Sequence, residues 1–239
     1  MASLDFSTAQ NHLAGDAATD ERIHFMSGCI AGYLQDCHQQ SGETESGLYK
    51  HYVQRYTQLK CGLLPYECAL IRHIARMVAP GRRMLHPGNG LGTTAVTLYT
   101  LGHDITGVEA DRRRIAAASR LKGRIETLFA VGRGRFDTVE GYFPNALATG
   151  LAGRAFDILL FTNFNTGLPE AIQSTILARF ADFGEVILDL RQFGQARETR
   201  TERDALRKRI EATRPKDIRA IAVAGAGVPA ATDFIHVYY

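Results

Sequence analysis

The sequence predicts an α/β protein: a seven-stranded, mostly parallel sheet with an antiparallel terminal strand, preceded by an N-terminal helical cap. Three observations carry that prediction. From residue 82 onward, short apolar runs alternate with amphipathic helical patterns. A glycine-rich turn, HPGNGLG at residues 86 to 92, joins the first run to the first of those helices. The last two runs are separated only by GAGVPAATD, too short for a crossover helix, so they pair antiparallel.

Residues 1 to 80 form the cap. Ile23, Met26, Ile30, Leu34 and Cys37 recur at helical spacing, SGETESG is a turn-rich break, and Tyr49, Tyr52 and Tyr56 then share one helix face. PYECALIRHIARMV is a further amphipathic helix, with proline near its first turn. Residues 81 to 239 form the sheet domain. Its predicted strands are RRML (82 to 85), DITGVE (104 to 109), RFDTVEG (135 to 141), FDILLFT (156 to 162), EVILDL (185 to 190), IRAIAVA and FIHVYY (234 to 239). Between the first five lie the helical patterns TTAVTLYTLG, RRRIAAASRLKGRIETLF, a short one in PNALATGLAG, and PEAIQSTILARFA. Right-handed crossovers through them make the strands parallel, with helices on both faces. A long charged helix, QARETRTERDALRKRIEAT, precedes the last pair.

With 45% hydrophobic and 22% charged residues over 239 positions, the chain has the balance of a globular protein with a sizeable core. No run approaches the roughly 18 apolar residues of a membrane span, and the first residues lack the basic start and apolar block of a secretory signal. A cytoplasmic protein without a membrane partner is expected. Cys29, Cys37, Cys61 and Cys68 have no CxxC spacing, so reduced thiols in or near the core are expected, with no metal and no disulfide. The net charge of +3 is spread along the chain. Basic clusters at Arg112, Arg113 and Arg114 and at Arg207, Lys208 and Arg209 fall on helices and read as solvated faces, which argues against a nucleic-acid partner.

Chemistry concentrates in the turn after the first strand. Glycines there remove the Cβ atoms that would keep a ligand off the backbone, and the following helix, opening at Thr93 and Thr94, adds partial positive charge and free N–H groups. Glu109 ends the next strand, where a carboxylate can accept hydrogen bonds from both hydroxyls of a ribose.

In this order the motifs resemble those of the class I S-adenosylmethionine-dependent methyltransferases, over residues 80 to 190, and the antiparallel tail is similar too. The resemblance implies a Rossmann-like sheet and S-adenosyl-L-methionine as cofactor. It places Gly88, Gly90 and Gly92 around the methionine and ribose part, Glu109 at the ribose, and Glu140, Gly141 and Tyr142 along the adenine, with Asn89 and Ala110 also among the cofactor-binding residues. Asn163 and Asn165, in FTNFN after the fourth strand, fall where the family places substrate-facing or catalytic groups, with Asn163 also near the cofactor. His86 stands where the family has an acid that helps fix the methionine amino group, so that end of the cofactor is expected to be held differently. His86 reads either as a direct contact to cofactor or substrate or as a satisfied core histidine. Nicotianamine synthase-type enzymes use a similar loop without that acid and move the aminocarboxypropyl group; azetidine-2-carboxylate synthase-type enzymes cyclise it.

The leading expectation is therefore methyl transfer to a small-molecule substrate. The alternative is aminocarboxypropyl chemistry that releases methylthioadenosine, with S-adenosylmethionine alone as substrate in the cyclising form. Two further readings are a non-catalytic binder of the same cofactor and an NAD(P)-binding protein, since Gly90, Gly92 and Ala95 also satisfy GxGxxA with Glu109 at the interval of a ribose-binding acid. Candidate catalytic residues are Asn163, Asn165, His86 and Tyr52. The tyrosine stripe reads either as core packing or as an aromatic surface for a sulfonium cation, with His51 and Tyr49 as further proton acceptors. Asp157, at the start of its strand, reads as structural, and Arg191 as a solvated or carboxylate-paired residue at a strand end.

Overall fold

The computed structural model describes residues 6–40, 52, 61–128, 134–162, 169–190, 200–221 and 234–239. They divide into two compact units, Met1–Ala79 and Pro80–Tyr239. The first contains α1 (Phe6–Gln40) and α2 (Pro65–Met77), which pack on each other. The stripe Ile23, Met26, Ile30 and Leu34 is buried as its spacing predicts, whereas Cys37 is only half-buried. Gly62 lets the chain approach α1 closely, since a Cβ there would lie 2.6 Å from the Ala31 nitrogen. Leu63 N–H then donates to Ser27 Oγ at 3.2 Å. Pro65 opens α2, and the Glu67 carboxylate accepts the Leu64 N–H at 2.7 Å, which satisfies a donor just outside the helix. All four cysteines are partly buried free thiols, and burial pushes the Cys68 thiol up to about 11.

The second unit holds the sheet. Its elements are β1 (Arg83–Pro87), α3 (Thr93–Thr100), β2 (Asp104–Glu109), α4 (Arg112–Leu128), β3 (Arg135–Glu140), β4 (Ile158–Phe161), α5 (Glu170–Leu177), β5 (Glu185–Asp189), α6 (Arg200–Glu211), β6 (Asp217–Ile221) and β7 (Phe234–Tyr238). The strand order is β3-β2-β1-β4-β5-β7-β6, parallel from β3 to β5. β7 runs antiparallel to both β5 and β6 and lies between them. Leu85, Leu159, Val186, Leu188, Ile235 and Val237 form part of one buried cluster from neighbouring strands.

Two local expectations shift. β1 continues past Leu85 through His86 and Pro87, in register with Gly107 and Val108 of β2, so the glycine turn starts two residues later than the apolar run suggests. Pro87 ends the strand, and the Val108 carbonyl instead accepts from Gly88 N–H at 2.8 Å and Asn89 N–H at 3.3 Å. The helix expected in PNALATGLAG is a single 3₁₀ turn, Asn145–Ala148, confined between Pro144 and Gly150. Parallel strands β1 to β4 all end on one edge of the sheet, and that edge carries the glycine turn.

Candidate functional site

Three glycines in alternate positions of the turn have left-handed backbones: Gly88 at φ +66°, Gly90 at +59° and Gly92 at +73°. A side chain at each would cost about 1 kcal/mol or more, so the spacing of the glycines follows from the path of the chain. Gly92 caps the start of α3, and a Cβ on it would lie 2.8 Å from Phe136 Cζ. Gly88 is the opposite case: among the described residues nothing lies within 4 Å of the place its Cβ would take.

The turn is tied to the end of β2 by Glu109. This carboxylate is buried, and its Oε2 accepts the Gly90 N–H at 2.9 Å. Its Oε1 accepts the N–H groups of Ala110 and Asp111, both at 3.0 Å. The acid and the glycine turn that spacing alone associated are thus in direct contact across two adjacent strands.

Around that acid the first turn of α4 carries Arg112, Arg113 and Arg114, where the helix dipole disfavours cations. Each has a carboxylate partner. Arg112 Nε donates to both oxygens of Glu140 at 2.9 and 2.8 Å, and Arg113 forks onto Asp111, holding its carboxyl down at about 2. Arg114 Nη1 lies 3.9 Å from Glu109 Oε2. Arg112 and Arg113 are solvated, as the sequence suggests, with side chains 82% and 62% exposed. Arg114 turns inward, and its Nε is buried with no hydrogen-bond partner among the described residues.

Beneath the turn lies a neutral polar cluster. His86 is buried, its Nε2 is 3.0 Å from Thr162 Oγ1 at the end of β4, and burial lowers it to about 4 against the opposing effect of the Asn89 side chain. The ring is uncharged at neutral pH. Either group can donate in the His86–Thr162 bond, and His86 Nδ1 and Asn89 Oδ1, both buried, have no hydrogen-bond partner among the described residues. Asn89 Nδ2 donates to Thr138 Oγ1 at 3.3 Å, and the side chain lies over Gly107, whose Cβ would sit 2.7 Å from Asn89 Cγ. Asn89 therefore braces the turn against β2 and β3, with its side chain on the sheet.

No protein-family model matches the sequence, and no curated protein matches it by sequence. Solved structures do. A glycopeptide N-methyltransferase, MtfA, superposes with a TM-score of 0.52 at 16% identity, over 71% of this chain and 93% of that one. The methyltransferase domain of a bacterial Hen1 gives 0.53 at 15% identity, over 72% and 95%. A magnesium protoporphyrin IX methyltransferase from Synechocystis PCC 6803, solved with bound SAM, gives 0.53 at 12% identity, over 100% and 99%. The fold is that of the class I S-adenosylmethionine-dependent methyltransferases. In open parallel α/β sheets in general, the ligand crevice lies at the carboxyl ends of the strands. The remaining residues named from the sequence can be placed against it.

Ala110 follows Glu109 directly, and Glu140 ends the neighbouring β3 with its carboxylate held by Arg112. Gly141 N–H donates to the Glu109 carbonyl at 3.0 Å, which fixes the turn after β3 beside the end of β2. Tyr142 follows it and is 74% exposed, the most exposed of the large apolar side chains among the described residues. Asn163, Asn165 and Arg191 lie outside the described residues, as do His51, Tyr49 and Tyr56. Tyr52 is helical and half-buried in the first unit. Asp157 accepts the Arg83 N–H at 2.9 Å and lies 3.7 Å from Arg82, a structural link at the opposite edge.

That opposite edge also has a groove of about 730 Å³, where Arg83, Asp104 and Arg135 begin β1, β2 and β3. Its Arg154 is committed to Asp137 at 3.0 Å and Thr106 at 2.6 Å. The glycine turn remains the candidate site. Sequence reasoning passed over Thr162, Gly107 and Arg114. Gly107 had a legible signal, a lone glycine inside a strand pattern, which marks a close approach by another group.

Proposed function

We propose that this chain is an S-adenosylmethionine-dependent methyltransferase acting on a small-molecule acceptor. The observation that carries the reading is the 2.9 Å bond from Gly90 N–H to Glu109, which joins a left-handed glycine turn and a buried acid at the carboxyl ends of adjacent strands. The residues present fit the group: the open side of Gly88 leaves room for a ligand against the backbone.

In this reading Gly88, Gly90 and Gly92 hold the methionine and ribose part, Glu109 accepts from the ribose hydroxyls with Ala110 next to it in the cofactor site, and Glu140, Gly141 and Tyr142 border the adenine. S-adenosylmethionine supplies a methyl group on a sulfonium, already activated for in-line attack. The protein's task is then alignment and exclusion of water more than proton transfer. Asn163 and Asn165, directly after β4, are assigned to the acceptor side of the crevice. His86 is assigned to support: its buried neutral ring couples the end of β1 to Thr162, the residue before Asn163. The modest net charge of +3 is consistent with a small acceptor.

Incubation with S-adenosylmethionine and candidate acceptors, followed by chromatography of the nucleoside products, tests the assignment. Acceptor-dependent S-adenosylhomocysteine is the expected product. Methylthioadenosine as the product would replace methyl transfer by aminocarboxypropyl chemistry. Failure to bind S-adenosylmethionine or S-adenosylhomocysteine, with uptake of a nicotinamide dinucleotide, would overturn the assignment.

A further inference from the structure

The sheet is paired unevenly along the edge that carries the glycine turn. β1 and β2 are paired as far as Pro87 and Val108, and β4 and β5 as far as Phe161 and Leu188. Between β1 and β4 the last paired positions are Leu85 and Leu159, although β1 runs on to Pro87 and β4 to Phe161. Pro87 brings no N–H to the ladder. The lapse falls where the strand order turns back, with β2 and β3 on one side of β1 and β4 and β5 on the other, and such a switch point is where open α/β sheets admit ligands. Among the described residues a side-chain bond crosses it: His86 Nε2 and Thr162 Oγ1 lie 3.0 Å apart, and both residues are buried. Another buried threonine shows the ordinary case. Thr106 Oγ1 donates to Asp137 Oδ1 at 2.9 Å, at positions that the ladder between β2 and β3 already pairs. There the side chains repeat what the backbone has fixed; at His86 and Thr162 they stand in for it.

We infer that Thr162 is a positioning residue: through its bond to His86 it sets the separation of β1 and β4 beyond the end of their ladder, and so the distance from the glycine turn to the chain after β4. The role rests on the proposed binding of S-adenosylmethionine and adds a residue to that site. In that reading adenine lies at the end of β3 and ribose at the end of β2, so the amino-acid end of the ligand points along the edge towards β1 and β4. That end meets the gap that Thr162 holds. The nucleoside lies over β2 and β3, whose ladder is whole as far as Glu109 and Glu140, and its floor does not depend on Thr162. The threonine needs no contact with the ligand; it acts through strand spacing, on which the alignment of reacting groups depends.

Calorimetric titration with S-adenosylhomocysteine and with methylthioadenosine, which share the nucleoside and differ in the amino-acid end, separates this role from general support of the fold. Thr162→Val keeps the shape of the side chain and removes the hydroxyl. It should weaken S-adenosylhomocysteine binding about 10-fold and leave methylthioadenosine within about 2-fold of wild type, and Thr162→Ser should restore both. Thr106→Val, on the intact ladder, should change neither affinity. In wild-type protein with nitrogen-15 in its histidines, the His86 ring resonances should move on addition of S-adenosylhomocysteine and far less with methylthioadenosine, a readout that needs no variant to fold. Equal weakening of the two ligands in Thr162→Val, wild-type binding of both, failure of serine to rescue, or His86 resonances unmoved by S-adenosylhomocysteine would overturn the inference. A wild-type protein that binds neither nucleoside overturns the functional proposal itself, before the variants are compared.

Discussion

Two carboxylates, the buried Glu109 and the half-buried Glu185, stand at opposite edges of the same sheet and are held in contrasting ways. Glu185, at the start of β5, accepts from the Arg82 guanidinium at 3.0 Å and from His236 Nε2 at 2.9 Å. His236 is fully buried, its Nδ1 takes the Tyr238 hydroxyl at 3.0 Å, and the two rings stack with centroids 4.2 Å apart. Arg219 covers Tyr238 from 4.9 Å and is itself held by Asp217 at 2.7 Å. Side chain answers side chain, and the corner where β7 enters the sheet is closed. Glu109 is held by backbone N–H groups of the glycine turn and of its own strand end, and among the described residues Arg114 Nε nearby and Asn89 Oδ1 beneath the same turn have no hydrogen-bond partner. The chemistry is the same at both edges; the difference is that one set of polar groups is complete and the other, among the described residues, is not.

The sharpest way to break that contrast is to neutralise each acid. Glu109→Gln is expected to weaken S-adenosylhomocysteine binding about 100-fold in calorimetry and to lower stability by about 2 kcal/mol, since the amide keeps one accepting oxygen and turns its NH2 onto a backbone N–H that the carboxylate accepted. Glu185→Ala is expected to do the reverse, lowering stability by about 3 kcal/mol in urea titrations and leaving the affinity of the folded protein unchanged. Equal effects of the two on binding would refute the distinction.

Acid titration probes the buried histidines. Burial holds His86 and His103 at about 4, against 6.5 for a free imidazole. As pH falls, the unfolded chain takes up these protons first. Stability from each histidine is therefore complete above about 6.5, declines between 6.5 and 4, and is gone below about 4, with up to about 3 kcal/mol at stake per residue. Urea midpoints measured from pH 7 down to 4 should fall less steeply in His86→Gln than in wild type.

Gly92→Ala combines a left-handed backbone with a clash against Phe136. A loss of about 2 kcal/mol and weaker cofactor binding are expected, whereas Gly88→Ala carries the backbone cost alone, about 1 kcal/mol. The smallest effect belongs to Tyr142→Ala. So exposed a ring contributes within about 0.5 kcal/mol to stability, yet bordering adenine it should change nucleoside affinity about 3-fold, readable by fluorescence titration.

Much of this was legible in the chain itself. Alternating runs gave away the strands, and the short final link required an antiparallel pair. HPGNGLG foretold the left-handed turn and DITGVE the acid beside it, because left-handed turns demand glycine whatever surrounds them. Other features escaped. Nothing in FIHVYY says that β7 slips between β5 and β6, since either neighbour would satisfy its hydrogen bonds. Three consecutive arginines look alike in sequence, and only the turn of α4 against the end of β2 distinguishes the inward Arg114 from its solvated neighbours. Asn89 looked like a residue of the cofactor turn, but Gly107, a strand away, gives its side chain a seat on the sheet.

What the amino-acid order determined by itself is whatever depends on near neighbours: the period of each element, the glycines that permit a left-handed turn, and an acid one strand beyond. The tertiary structure decided which polar groups meet. Thr162, Asn89 and His86 become one cluster, and Glu185 and His236 another, only when distant strands come into register. Hydrogen bonds form across a few ångströms of space, and that distance is not written in the spacing of residues along the chain.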